Sequence, residues 1–261
     1  MAGQVHYAVE GAIARLTLDQ QDKLNAMSFE MWTAVSALVQ RAEADRAVRL
    51  IVVTGAGGKA FCAGADISQF GDNRTGEEAV LAYDRAVNDA SFALAHASKP
   101  TIAAIDGICF GGGMGLAMSC DLRLASAVSR FRIPAARLGI GYGYDNVRML
   151  TQRLGFGPTA ELLFSARIVG AEEAKGLGVL QHVWPAQTYA ADLAAYLQTM
   201  AENAPLSLIA AKQALVELEK PESEQNRAKA QAAIAACYHS RDYVEGQAAF
   251  KEKRTPQFKG E

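Results

Sequence analysis

Two glycine-bearing segments hold the chemistry this chain can do most directly. Gly111-Gly112-Gly113 follows the mostly apolar run 101–108 and opens a stretch of small residues with helical character. A buried strand there empties into a helix through glycine. Glycine lets another molecule approach the backbone, and the unpaired N–H groups of a first helical turn receive a negatively charged oxygen. The second segment, Ala60-Phe61-Cys62-Ala63-Gly64-Ala65-Asp66-Ile67, comes just after the Val- and Ile-rich run 48–54 and its closing glycines. In an open α/β architecture, successive strand ends define the crevice where ligands bind, so both loops are expected to face one pocket. The same glycines also serve tight helix packing with no chemistry attached. A nucleotide fold does not suit the order of segments: no G-x-x-x-x-G-K-[ST] string is present, and a dinucleotide site needs G-x-G-x-x-G between an early strand and helix.

Side chains able to transfer a proton gather in the turn-rich stretch Gly141-Tyr142-Gly143-Tyr144-Asp145. Asp145 also suits the N-cap of a helix beginning at Asn146. The cysteines Cys62, Cys109, Cys120 and Cys237 form no C-x-x-C pair, and the four histidines show no metal spacing, so no metal site and no disulfide framework is expected. Buried, reduced cysteines are the expectation.

These groups need elements to position them. Residues 7–18 read as a hairpin turning at Glu10-Gly11, and Ser28 as the N-cap of a helix whose Trp32, Val35, Leu38, Val39 and Ala42 share one face. The runs 48–54 and 101–108 read as buried strands, 122–125, 130–133 and 179–183 as short ones. Residues 71–78 read as a polar, mobile loop and 79–97 as a helix; from Asn146 onward the chain is mainly helical. A helical appendage is expected after Gln198, dividing the chain into 1–198 and 199–261.

With 261 residues, 50% of them hydrophobic, and a formal net charge of −2, the chain suits one α/β domain with a smaller appendage. No basic excess recommends nucleic acid, no apolar run reaches membrane-span length, and the N-terminus lacks a signal-peptide plan. A soluble cytoplasmic enzyme is expected.

The ordered blocks resemble the enoyl-CoA hydratase/isomerase, or crotonase, superfamily over nearly the whole chain. They are Lys23-Leu24-Asn25-Ala26-Met27, the Ala60 to Ile67 block, Lys99-Pro100 through Gly113 with Asp121, Thr159-Ala160-Glu161-Leu162-Leu163-Phe164, Gly178-Val179-Leu180, and the block from Glu245 to Arg254. The resemblance implies an α/β spiral of ββα units, a C-terminal helical region that builds a homotrimer or homohexamer, and an acyl-CoA substrate with no separate cofactor. It assigns the thioester oxygen to the backbone N–H groups of Ala65 and Gly112. Two such preorganised donors are each worth ~3 kcal/mol toward an oxyanion. It assigns Lys23, Leu24, Asp66 and Ile67 to the adenine and pantetheine portion, and Lys259 to the CoA phosphates, often across a subunit boundary.

The chain departs from the resemblance at two positions. Hydratases carry one glutamate two residues after the glycine triplet and another directly after the proline that aligns with Pro134. This chain has Gly115 and Ala135, and neither transfers a proton. Tyr142 resembles the tyrosine that decarboxylase members carry in their acyl pocket, and Tyr142, Tyr144 and Asp145 are the candidates for relocated chemistry. Three readings stay open: an acyl-CoA lyase or isomerase, a decarboxylase of malonyl-type CoA esters, and a non-catalytic CoA-ester-binding subunit. Restoring both glutamates is expected to raise hydration where the pocket has room.

Overall fold

The computed structural model describes residues 3–66 and 77–261. Three successive segments repeat one plan: a strand in a large sheet, a short strand in a small sheet, then a helix. The first is β3 (Leu50–Gly55), β4 (Ala60–Cys62) and α2 (Glu77–His96); the second is β5 (Thr101–Ile105), β6 (Ile108–Phe110) and α3 (Gly112–Ser119). The third is β7 (Leu122–Ser126), β8 (Arg130–Arg132) and α4 (Ala135–Leu138). They follow the expected hairpin β1 (Gln4–Glu10) and β2 (Ile13–Asp19) and the helix α1 (Phe29–Ala44), whose N-terminus Ser28 Oγ caps by accepting from Met31 N at 3.2 Å. With β9 (Val169–Gly170) and β10 (His182–Trp184), the described strands form a six-stranded sheet, β1-β2-β3-β5-β7-β10, and a four-stranded one, β4-β6-β8-β9.

The run 101–108 is therefore two strands rather than one. Gly107 adopts φ +81°, and a Cβ there would come within 2.1 Å of the Lys59 carbonyl oxygen. Only glycine lets the chain turn so tightly at that point and leave the large sheet for the small one. The expected strand 179–183 forms later, at His182–Trp184.

Alternation within the strands builds two cores. Ile51, Val53, Ala103 and Ile105 face α1, α2 and the small sheet, joining Trp32, Leu94, Phe61 and Phe131. Leu50, Val52, Ile102 and Leu124 face the other way, onto Leu193, Leu197 and Ala201 of α8 (Tyr189–Ala201). Both faces of the parallel strands are covered, which is why they read as unbroken apolar runs. Each large side chain so buried contributes about 1.5–3 kcal/mol.

The expected division at Gln198 falls inside α8. That helix is part of the core because its apolar face closes the second cluster, so the helical extension begins after Ala201. It comprises α9 (Pro205–Leu218), α10 (Arg227–Tyr238) and α11 (Arg241–Glu252). Lys212 of α9, buried, pairs with Asp121, whose other oxygen accepts from Thr101 N at 2.8 Å. The C-terminal tail is held by Arg49, which donates to the carbonyls of Ala201 and Phe258. Leu215, Leu218, Val244 and Phe250 of this extension are exposed, Phe250 at 86%.

Between α4 and the extension lie α5 (Tyr144–Leu154), α6 (Phe156–Ser165) and α7 (Ala171–Gly176). Among the described residues no helix is long and apolar enough to cross a membrane, and no group of three or more His, Cys, Asp or Glu is placed to hold a metal ion.

Candidate active site

The two glycine loops meet. Residues 24–27 run beside residues 63–66 as a short ladder: Ala63 N donates to Leu24 O at 3.0 Å, Met27 N to Gly64 O at 2.7 Å, and Asp66 N to Met27 O at 2.9 Å. Alternate backbone groups of an extended chain point to opposite sides, so this ladder turns the Ala65 N–H away from Met27. Close by lies Gly112, the first residue of α3, where a Cβ would stand 3.5 Å from Ala65 N. The Gly112 N–H belongs to the first helical turn and has no intrahelical acceptor. Neither N–H has a protein acceptor among the described residues. Gly64 at φ +119° and Gly111 at φ +50° shape the two approaches. Behind the pair stands the buried Trp32 ring, 3.2 Å from the same Cβ position on Gly112, with its indole N–H donating to the Tyr83 hydroxyl at 3.0 Å.

The residues around Lys23 hold this geometry in place. Leu24 and Asn25 adopt left-handed backbone angles, φ +54° and +57°, costly for side chains that branch from Cβ-bearing residues. The buried Asn25 side chain compensates: Oδ1 accepts from Gln20 N at 3.0 Å, and Nδ2 donates to Ala60 O at 2.7 Å and Ala56 O at 2.9 Å. Asp66, also buried, accepts from Lys23 Nζ at 2.7 Å and Gln20 Nε2 at 2.9 Å. Lys23, Leu24 and Asp66 are thus brought together beside Ala65, with Lys23 and Leu24 reaching solvent. Ile67 and most of the expected loop 71–78 lie outside the described residues; Glu77 and Glu78 begin α2.

Lys259 is not part of this group within one chain. Its backbone N–H donates to Asp242 Oδ1 at 2.7 Å on α11, and its side chain is exposed.

Tyr142 and Asp145 part company. Tyr142 packs on the core cluster, and its hydroxyl donates to Gly111 O at 3.4 Å, a long bond one residue before Gly112. A Cβ on Gly115 would come within 3.3 Å of this hydroxyl and 3.2 Å of Asn146 Oδ1. The space beside Gly115 is therefore taken by a phenol and an amide. Desolvation, with a smaller contribution from Cys109, holds the Tyr142 phenol well above its ordinary pKa, so it is a neutral donor at physiological pH. Asp145 is 67% exposed and pairs with Arg148 at 3.4 Å. The helix begins one residue before Asp145, with Gly143 as its N-cap, so Asp145 favours the helix dipole from the first turn and caps nothing.

Ala135 is buried at the start of α4, behind Pro134, whose ring lies 3.7 Å from a Cβ position on Gly111. Cys62, Cys109 and Cys120 are buried and reduced, and burial pushes the Cys62 thiol up to about 12. They are no nucleophiles at neutral pH.

Past Gly115 the same face of α3 reaches Ser119, whose hydroxyl donates to Gly115 O at 2.9 Å. Ser119, Asn146 and Met149 border a cavity of about 470 Å³ that extends to Phe92 and His96 of α2 and to Lys220 beyond α9. Burial lowers the His96 pKa, so its imidazole is neutral near pH 7. Asn25, Trp32 and Asn146 stand beside the two glycine loops although their types and spacing carried no signal of it. Asn25 lies within a block read for its neighbours, Trp32 reads as core, and Asn146 reads as the start of a helix.

Against this geometry the comparisons with known proteins agree. The family model described as enoyl-CoA hydratase/isomerase matches residues 8–261. A short-chain-enoyl-CoA hydratase of Clostridium acetobutylicum is 31% identical over 94% of this chain and 93% of its own. The carnitinyl-CoA dehydratase of Proteus mirabilis is 31% identical over the full length of both. The crystal structure of an enoyl-CoA hydratase/carnithine racemase from Magnetospirillum magneticum superposes with a TM-score of 0.91 at 33% identity, covering 98% of this chain and 96% of that one. A sequence match that runs almost end to end, on the fold that the ββα repeats build, establishes that the chain belongs to the enoyl-CoA hydratase/isomerase family.

Proposed function

We propose that this protein processes an acyl-CoA thioester by stabilising its enolate between the Ala65 and Gly112 N–H groups, without the carboxylate pair of the hydratases. The observation that carries the reading is the pair of adjoining amides without an acceptor among the described residues, backed by the buried Trp32 ring. Enolisation places a full negative charge on the thioester oxygen, and fixed donors in a water-poor site stabilise that charge with little reorganisation. Lys23, Leu24, Asp66 and Ile67 hold the CoA portion in this proposal. The left-handed backbone at Leu24 and Asn25 is maintained by three side-chain bonds, the kind of local strain that persists where a ligand is clamped.

The neutral phenol of Tyr142 favours a second reading, decarboxylation of a malonyl-type thioester. There the bond to the substrate carboxylate breaks, its electron pair passes into the enolate, carbon dioxide leaves, and the α-carbon takes a proton from Tyr142 or water. No protein carboxylate is required for that sequence. A phenol donor and an amide beside Gly115 suit a substrate carboxylate better than an apolar chain.

Enoyl-, malonyl- and 3-hydroxyacyl-CoA esters offered separately to the purified protein, with the products weighed by mass spectrometry, test both. Loss of 44 mass units from malonyl-CoA supports decarboxylation; addition or loss of 18 on the other esters supports hydration or dehydration. Isomerisation leaves the mass unchanged and is read by a shifted double bond in the NMR spectrum of the recovered ester; tight binding with neither change assigns the third reading, a binding subunit. The exposed apolar face of the C-terminal extension supports a homotrimer or homohexamer, and Lys259 would then reach the CoA phosphates of a neighbouring copy. A stable monomer in sedimentation at micromolar concentration would remove that part.

A further inference from the structure

Asn146 stands beside Gly115, one helical turn past the Gly112 amide, with its Oδ1 3.2 Å from a Cβ position there. Gly112, Gly115 and Ser119 lie along one face of α3, since residues three and seven apart on a helix share a side. Gly112 carries one amide of the pair, and the Gly115 backbone lies about 4.5 Å further along the helix axis. In an extended acyl chain that rise matches three or four bonds from the thioester carbon, which is where an oxygen carried on the second or third carbon beyond it would lie. At this level the groups facing the Gly115 gap are the Tyr142 hydroxyl and Asn146 Oδ1. Tyr142 already has an acceptor in Gly111 O. The Asn146 amide makes no hydrogen bond to the described residues, although it is half-buried at the mouth of the cavity.

An amide in that position penalises an apolar chain, which leaves its donors and acceptor unpaired as water is expelled, and rewards a polar one. The cations that line the same cavity are each paired: Arg148 with Asp145, Arg153 with Glu219, and Lys220 with Glu217. We infer that Asn146 is a specificity-determining residue that hydrogen-bonds an oxygen carried by the acyl group at the second or third carbon beyond the thioester carbonyl. The amide has two donors and an acceptor, so hydroxyl, oxo and carboxylate oxygens all satisfy it. This inference rests on the acyl-CoA reading above and adds to it the class of acyl group.

Calorimetric titration separates the two claims. Butyryl-CoA, which carries no such oxygen, is compared with 3-hydroxybutyryl-CoA, acetoacetyl-CoA and malonyl-CoA, which carry a hydroxyl, an oxo group and a carboxylate. The expected result is that at least one of the three binds wild type about tenfold or more tightly than butyryl-CoA. Asn146→Leu, of similar volume, is expected to reduce that preference to less than threefold, and Asn146→Ser to retain part of it. The ester that shows the preference identifies the oxygen. Equal binding of all four esters to wild type overturns the inference while leaving the acyl-CoA reading intact, as does a preference that survives Asn146→Leu. A residue with a merely structural role would weaken all four esters alike, which also overturns it. If none of the four binds wild type, the acyl-CoA reading itself falls. The wild-type comparison decides the matter should either variant fail to fold.

Discussion

The Tyr142 hydroxyl occupies the space beside Gly115, 3.3 Å from where a Cβ on that residue would lie. In the proposed site Gly115 is therefore more than the loss of one glutamate. The phenol and the Asn146 amide fill the volume that a longer side chain would need, and the pocket is rebuilt around neutral hydrogen-bonding groups.

Restoring the two glutamates then fails for want of room. Gly115→Glu with Ala135→Glu is expected to leave crotonyl-CoA hydration no faster than wild type, itself slow. The overpacked side chain is expected to cost about 1–3 kcal/mol of stability. Adding Tyr142→Ala opens the space, and a gain of about tenfold or more is expected, below the ~10²–10⁴-fold of a well-placed acid or base. Loss of the enoyl absorbance measures the rate. A fast double variant that keeps Tyr142 would show that the phenol does not block the site.

The proposed oxyanion site makes a separate demand on Ala65. Proline there removes an N–H that no backbone acceptor uses, so the 24–27 ladder keeps its bonds. Turnover on the productive ester is expected to fall about 10²–10³-fold, with a much smaller change in ester affinity. Circular dichroism and thermal melting establish that the variant is folded. Equal losses in turnover and affinity would place Ala65 in ground-state binding instead.

Tyr142 and Asp145 should separate as sharply in activity as they do in position. Tyr142→Phe keeps the ring and removes the donor, and kcat on the productive ester is expected to fall at least tenfold, toward the loss of ~10²–10⁴-fold typical of a lost proton transfer. Asp145→Asn, in an exposed residue paired only with Arg148, is expected to stay within twofold of wild type. Because the Tyr142 phenol ionises only well above its usual range, the wild-type rate is expected to show no alkaline loss from this group below pH 10. The reverse pattern, a dead Asp145→Asn and an active Tyr142→Phe, would relocate the chemistry to the exposed loop.

His96 gives the fold a pH signature. Burial, followed by Lys212 and Lys220, lowers its pKa, against opposing contributions from the Phe92 carbonyl and Glu219. As pH falls through about 6.5, the unfolded chain takes up a proton that the folded one refuses. Stability conferred by neutral His96 is therefore complete above that pH and is lost as pH drops toward the lowered folded value. Urea unfolding from pH 7.5 to 5.5 is expected to show this decline, and His96→Gln to flatten it. An unchanged slope in the variant would assign the decline to other groups.

Much of the architecture is written locally in this sequence. The hairpin at Gly11, the Ser28 cap with its 3.6-residue apolar stripe, and the unbroken apolar strands follow from propensity and periodicity. The two glycine segments likewise announce exposed backbone at strand ends. What local pattern cannot carry is a contact between residues distant in the chain. The run 101–108 looks like one strand because its residues are apolar throughout. It becomes two because Gly107 must pass within van der Waals range of the Lys59 carbonyl, 48 positions earlier. Residue 198 looks like a boundary until α8 is seen closing the core over Leu50 and Ile102. Sequence alone pointed to the family, to a Gly and an Ala at positions 115 and 135, and to the two glycine-bearing segments, since each depends on which residue stands at a given place in an ordered motif. Only the tertiary structure decided that Tyr142 and Asn146, rather than an empty space, lie beside Gly115. The reason is physical: α3 and α5 approach closely only through long-range packing, and the volume between two helices is a property of neither helix alone.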